Sequence, residues 1–186
     1  MKFNNSNKRD ILILAKFDNI NLINNIQKKY YDLYGIVEPH IAVTFPFTSD
    51  ISDDELYVKL KDIVSNYKPF KIVCSGISTP KVDSDYRFLN VIYNKEIIKK
   101  LSDEIYEKII PEELEYRDKY EYDPHISLCN KPINEELVLD EKFEMIVETL
   151  YVERIGENDE SIFLYCVDVS VKSFWDFYKS WKLFCL

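Results

Sequence analysis

A six-residue frame occurs twice in this chain, and both of its histidines lie inside it. The first copy is Glu38-Pro39-His40-Ile41-Ala42-Val43; the second is Asp123-Pro124-His125-Ile126-Ser127-Leu128. The pattern is acidic, Pro, His, Ile, small, aliphatic. Chance readily places one histidine on a strand, but rarely puts every histidine of a chain in matching frames, one per half. Strands alternate their side chains between two faces. Each frame therefore predicts a strand with an apolar face, Ile41, Val43 and Phe45 in one and Ile126 and Leu128 in the other, anchored in a core. The opposite faces carry His40, Ala42 and Thr44, and His125, Ser127 and Cys129. An imidazole beside small residues leaves room for a ligand. The proline before each histidine fixes the entering backbone and favours an extended residue ahead of it.

The elements around the frames repeat too. Asp10 to Phe17 reads as a mostly apolar strand. Asp18 or Asn19 can cap a helix running to about Tyr34, with Gly35 ending it. The first histidine strand spans Pro39 to Phe45. Ser52-Asp53-Asp54-Glu55 is a capping-box pattern, opening a helix with Leu56, Leu60, Ile63, Val64 and Tyr67 at helical spacing. Phe70 to Ile77 is a strand. In the second half, Tyr86 to Tyr93 is a strand and Asn94 caps a helix that Pro111 stops. Glu112 to Glu121 is a charged loop, His125 to Cys129 the second histidine strand, and Asn134 the cap of a short helix. Phe143 to Ile155 and Ser161 to Val171 alternate as two hairpin strands around Gly156-Glu157-Asn158-Asp159. Each half reads strand, helix, histidine strand, helix, strand, as in an internal duplication. An aromatic helix, 173–186, follows, its stripe of Phe174, Phe177, Tyr178, Trp181 and Phe184 suited to packing on a sheet.

Composition narrows the function. At 186 residues with 46% hydrophobic side chains the chain can bury one ordinary core. Its formal charge of -9 gives no overall attraction to nucleic acid, which argues against a coat protein but not against an enzyme acting on a small phosphate ester. Cys74, Cys129, Cys166 and Cys185 form no Cys-x-x-Cys pair and read as buried free thiols of a reducing compartment. Met1 to Asp10 is polar, unlike a signal peptide, and no run reaches the roughly 18 apolar residues of a membrane span. The expected location is cytoplasmic. Three glycines leave no place for a nucleotide-binding glycine loop. Glu38 and Asp123 lie two residues from each histidine but without the spacing of an established metal site, so neither metal nor cofactor is expected.

Two imidazoles suit phosphodiester chemistry. A neutral one takes a proton from water or a ribose hydroxyl, and an imidazolium protonates the leaving oxygen. An unperturbed pKa of about 6.5 makes both forms accessible near neutrality. A hydroxyl two residues on can donate to a non-bridging phosphate oxygen, where charge builds up.

These residues resemble the two-histidine phosphoesterase superfamily, the 2'-5' RNA ligase-like and cyclic-phosphodiesterase group. Its hallmark is a pair of His-x-Thr/Ser-x motifs, one in each half of a bilobed α+β fold. Pro39-His40-Ile41-Ala42-Val43-Thr44-Phe45-Pro46-Phe47 is similar to the first motif, and Pro124-His125-Ile126-Ser127-Leu128 to the second. The likeness spans roughly residues 10 to 171. It implies that His40 and His125 are acid and base, that Ser127 binds phosphate, and that substrates are 2',3'-cyclic phosphates or 2'-5' linked nucleotides, usually without a metal.

One position departs from the motif. Ala42 stands where the family has Thr or Ser, and Ala cannot donate a hydrogen bond. Thr44 shares its face, about 6.6 Å further along the strand. Loss of one well-placed donor costs on the order of 10²–10³ in rate elsewhere. The alternative reading is a non-catalytic protein that binds nucleotides or RNA ends. Lys131, Arg117 and Lys119 could gather around a phosphate, and Tyr122, Phe47 and Tyr86 could stack on a base. Lys16 reads as a surface lysine.

The expected fold is α+β: a single bilobed domain with a pseudo-symmetric antiparallel sheet and helices in each lobe, and a cleft between. Lobe 1 covers about 10–78 and lobe 2 about 85–171. The expected function is a metal-independent phosphodiesterase, with RNA-ligase-like reversal as a further capacity. The expected partner is a small nucleotide or RNA phosphodiester, not DNA and not a membrane, and the expected state is a monomer.

Overall fold

The structure is a computed structural model. It describes residues 9–17, 20–80, 85–119, 121–133, 137–139, 141–157 and 160–170. The expected caps Asp18 and Asn19, the Asn134 helix, the end of the turn at Asn158-Asp159 and the aromatic helix 173–186 lie outside these, as does the side chain of Arg117.

The apolar run at the start forms β1 (Arg9–Lys16). Ile11 to Ala15 are all buried, as befits a strand covered on both faces. Ile11, Ile13 and Ala15 join the main core, and Leu12 and Leu14 take the other face. The remaining elements are α1 (Asn21–Tyr30), β2 (His40–Ala42), β3 (Phe47–Ser49), α2 (Asp53–Val64), β4 (Phe70–Ser78), β5 (Tyr86–Tyr93), α3 (Lys95–Ile109), α4 (Leu114–Lys119), β6 (His125–Asn130), β7 (Phe143–Val147), β8 (Thr149–Ile155) and β9 (Ser161–Asp168). Ser52 caps α2 as its capping box predicts, its hydroxyl accepting from the Glu55 N–H at 3.2 Å. Asn94 precedes α3 in a left-handed conformation, φ 56°. Its side chain does not cap the helix but donates to the Lys71 carbonyl at 2.7 Å.

All described strands join one curled antiparallel sheet in the order β7-β4-β5-β6-β2-β1-β8-β9, with β3 also on β1. Between β6 and β2 a single pair, Ile41 with Ile126, holds the ladder together. This narrow waist divides the sheet into two antiparallel groups of four strands and more, each containing one histidine strand. Gln27 of α1 reaches the waist and donates to the Ser127 carbonyl at 2.7 Å.

Several expectations change. The histidine strand expected over Pro39 to Phe45 is only His40–Ala42. The N–H groups of Val43 and Thr44 both bond the Ile13 carbonyl, at 2.8 and 3.2 Å, so the strand bulges and turns there. The charged loop from Glu112 folds into a 3-10 turn, Pro111–Glu113, and then α4. The long strand from Phe143 breaks at Glu148 into β7 and β8, which lie in different sheet groups. The strands are also exchanged between the halves: β4 of the first half pairs with β5 and β7, and β8 of the second half pairs with β1. Cys74 and Cys129 are buried as expected, but Cys166 is exposed.

Candidate active site

The register at the waist assembles the site. With Ile41 opposite Ile126, antiparallel pairing sets His40 opposite Ser127 and Ala42 opposite His125. The two histidines are thus diagonal neighbours on one face, about 7–8 Å apart by the usual cross-strand spacing. A phosphate fits between groups at that separation. The rows extend through neighbouring strands. Lys16 of β1 lies opposite His40, Phe88 of β5 opposite Ser127, and Asn90 of β5 opposite His125.

Each imidazole is fixed in the same way. The Nδ1 of His40 lies 2.7 Å from the Glu38 carbonyl, and the Nδ1 of His125 lies 2.6 Å from the Asp123 carbonyl. A carbonyl only accepts, so Nδ1 carries the proton in both rings. Nε2 is left as the nitrogen for chemistry. The acidic residue of each frame thus acts through its backbone. Burial lowers both pKa values below the ordinary histidine value; the bonds to Glu38 and Asp123 oppose it in part. His40 itself lowers His125, as expected of neighbours. Phe88 stacks on His125 with centroids 3.7 Å apart and planes at 20°.

Lys16 is not a free surface lysine. It pairs with buried Glu153 at 2.5 Å and with Glu38 at 2.9 Å. Burial pulls its pKa down, but the bonds to Glu153 and Glu38 outweigh this and raise it. The ammonium therefore sits in the row of His40 with its charge already matched. A cavity of about 1010 Å³ opens beside it, lined among others by Lys16, Glu38, Glu148, Tyr151 and Phe163. Neither histidine lines that cavity.

The other expected site residues divide. Ser127 lies on the histidine face, half-buried, beside Tyr31. Burial raises the Tyr31 pKa and a side-chain hydrogen bond with Ser127 opposes it. Thr44 is not available to a ligand: the bulge turns it inward, fully buried, where its hydroxyl accepts from the Ile13 N–H at 3.2 Å. Phe47 is a core residue on β3, not a base contact. Tyr122 is buried; it packs edge-on against Phe45 and donates to the Ala42 carbonyl at 2.7 Å, so it holds β2 rather than a base. Lys131 pairs with Asp32 at 2.6 Å, tying the end of β6 to the segment after α1. Sequence reasoning missed Tyr31, Phe88 and Asn90 as neighbours of the motif, because only the strand register brings them there. Among the described residues no group of three or more His, Cys, Asp and Glu could hold a metal ion.

Residues 15–156 match the sequence model of the 2'-5' RNA ligase superfamily. The chain belongs to that superfamily. It is 27% identical over 115 residues to a Bacillus licheniformis protein provisionally named a phosphoesterase, which covers 62% of this chain and 66% of that one, just under two thirds. A Bacillus pumilus protein with the same provisional name is 21% identical over 139 residues, 74% of this chain and 75% of its own. In fold the chain is similar to Escherichia coli LigT complexed with NADP+, at a TM-score of 0.60 and 10% identity over 88% of this chain and 99% of LigT. It is also similar to TT0787 of Thermus thermophilus, at a TM-score of 0.60 and 14% identity over 88% of this chain and 100% of that one. The two-histidine phosphoesterase family and its two-lobed α+β fold are therefore established for this chain. No helix among the described residues is long and apolar enough to cross a membrane.

Proposed function

We propose that this superfamily member is a metal-independent phosphodiesterase acting on a 2',3'-cyclic phosphate or a 2'-5' linked nucleotide or RNA end. His40 and His125 are its general acid and base. The observation that carries this reading is the pair of diagonal imidazoles, each with Nδ1–H held by a backbone carbonyl and Nε2 left over. One neutral Nε2 takes a proton from water as the water oxygen bonds to phosphorus. The other, as imidazolium, gives its proton to the ribose oxygen as the P–O bond breaks. One proton enters the pair and one leaves, so the two histidines exchange protonation states in each turnover. Ser127, opposite His40, donates to a non-bridging oxygen. Lowered histidine pKa values favour the base in the free protein; a bound phosphate anion raises them and restores the acid. A small nucleotide substrate is supported by the fold likeness to LigT complexed with 3'-AMP, at 9% identity and a TM-score of 0.59. Ligase-like reversal uses the same proton transfers backwards.

The test is turnover of a 2',3'-cyclic nucleotide and of a 2'-5' linked dinucleotide in EDTA, for wild type, His40→Ala and His125→Ala. Folding is checked by circular dichroism. Each variant is expected to lose on the order of 10²–10⁴ in rate. Full activity in either variant rules out the two-histidine mechanism.

A second reading, binding without turnover, is favoured by one observation: Ala42 faces His125 without a hydroxyl, and Thr44 is buried away from it. It predicts phosphate binding that needs both histidines and no hydrolysis of any diester.

A further inference from the structure

We propose that the cavity beside His40 seats the nucleoside of the substrate, and that its acidic walls restrict that substrate to a 2',3'-cyclic mononucleotide rather than the end of an RNA chain. The inference rests on the phosphodiester reading above and narrows its substrate. Strand register leads from the histidines to the cavity. Lys16 lies opposite His40 and lines the cavity. Leu14 lies opposite both Ala42 and Tyr151, so Tyr151 shares the face of the two histidines. Tyr151 stands two strands beyond Ala42, about 10 Å at the usual strand spacing. A phosphate held between the imidazoles thus leaves the attached sugar and base within reach of the cavity.

The walls suit a flat ring. At about 1010 Å³ the cavity is at the upper end of small-molecule sites. It opens between the two strand groups: Tyr151 and Phe163 line it from β8 and β9, and Ile146 from β7. Phe163 is 57% exposed and Ile146 59%, so both present apolar surface to the cavity rather than to the core. The Tyr151 and Phe163 rings lie 6.4 Å apart between centroids, and the Lys16 ammonium lies 5.5 Å over the Tyr151 ring. Tyr151 is thus held between Lys16 and Phe163, and Phe163 is the ring with open surface. A base stacked on Phe163 covers apolar area that the fold leaves bare.

The charge of the walls selects against a second phosphate. Among the described residues the lining sets Lys16 against Glu38, Glu144 and Glu148. Lys16 is already paired with Glu38 and with buried Glu153, and Glu144 is paired with Lys71. Two lysines therefore stand among four glutamates, an excess of negative charge around the cavity. A neutral nucleoside meets no repulsion there. A nucleoside with a 5'-phosphate, as at the end of an RNA chain, brings another anion against the carboxylates. The formal charge of -9 on the whole chain acts in the same direction.

The experiment compares a 2',3'-cyclic mononucleotide with the same compound bearing a 5'-phosphate, at low and high salt. The proteins are wild type, Phe163→Ala, Phe163→Tyr and Glu148→Lys, with His125→Ala as the control. In wild type the 5'-phosphate is expected to lower kcat/KM on the order of tenfold at low salt, and the penalty to shrink at high salt and in Glu148→Lys. Phe163→Ala is expected to raise KM on the order of tenfold for both compounds with kcat and thermal stability little changed, as loss of uniform binding does. Phe163→Tyr keeps the ring and should keep the wild-type KM. Equal kcat/KM for the two compounds in wild type overturns the restriction to mononucleotides. An unchanged KM in Phe163→Ala overturns the cavity as the nucleoside site. Either result, with His125→Ala dead, leaves the two-histidine reading standing. Absence of wild-type turnover on both compounds sinks the enzymatic reading instead. Calorimetric affinity for the 2',3'-cyclic mononucleotide then decides the site: weakened by Phe163→Ala if the assignment holds, unchanged or undetectable in wild type if it does not.

Discussion

Burial holds both His40 and His125 below the ordinary imidazole pKa, so each resists protonation in the fold more than in the unfolded chain. Just below pH 6.5 the unfolded chain then binds more protons than the native state. Stability should therefore rise with pH through the window that ends near 6.5, and be lost as the pH falls through it toward the folded values. Thermal unfolding from pH 7.5 to 5.5 measures this. The His40→Gln/His125→Gln double variant should show a flatter slope; a slope identical to that of wild type would mean the histidines are not desolvated. At the residue scale, placement was legible where it depended on the motif alone. Both histidines and Ser127 are where the repeated frame put them. Thr44 was misjudged because alternation assumes an unbroken strand, and the bulge against Ile13 reverses its side. Asn90, Phe88 and Tyr31 had no sequence signal, since their relevance comes from cross-strand register and packing.

At the scale of elements, β2 is three residues long and depends on its ties. Tyr106 of α3 accepts the Phe45 N–H at 2.9 Å, and Tyr122 donates to the Ala42 carbonyl at 2.7 Å. Ala42 ends β2 opposite His125 of β6, so a shift of β2 moves His40 relative to His125. Tyr122→Phe removes the donor and leaves that carbonyl unmet. It should cost about 1–3 kcal/mol of stability, read from urea unfolding, and lower turnover without contacting substrate. Unchanged stability would show that water replaces the phenol. The helices that back these strands followed from periodicity: Leu56, Leu60, Ile63 and Val64 of α2 are all buried. The break at Glu148 did not follow, because the apolar alternation runs on through Phe143 to Ile155. Only the curl of the sheet demands that the chain leave one group of strands there and enter the other.

Across the whole molecule, the exchange of strands binds the halves together. β1 needs β8, and β4 needs β5 and β7. A fragment ending near residue 80 would leave β1 without β8 and β4 with neither of its partners, exposing the edges of both. The full chain should therefore show one cooperative thermal transition, and neither half alone should fold. Two resolved calorimetric transitions would contradict it. The duplicated order of elements was readable in the sequence, but hydrophobic pattern carries no information on partners, so the exchange was not. At net charge -9 the molecule offers no long-range attraction to a polyanion, and in the proposed function recognition falls to the short rows of side chains around the waist. The central claim is that one phosphate is shared by both imidazoles. The chain has two histidines, so their ring signals can be assigned by one substitution each. A pH titration by NMR, without and with saturating inorganic phosphate, should show both rings titrating below 6.5 when free and both rising when phosphate is bound. A response from only one ring, or from neither, would contradict a shared site.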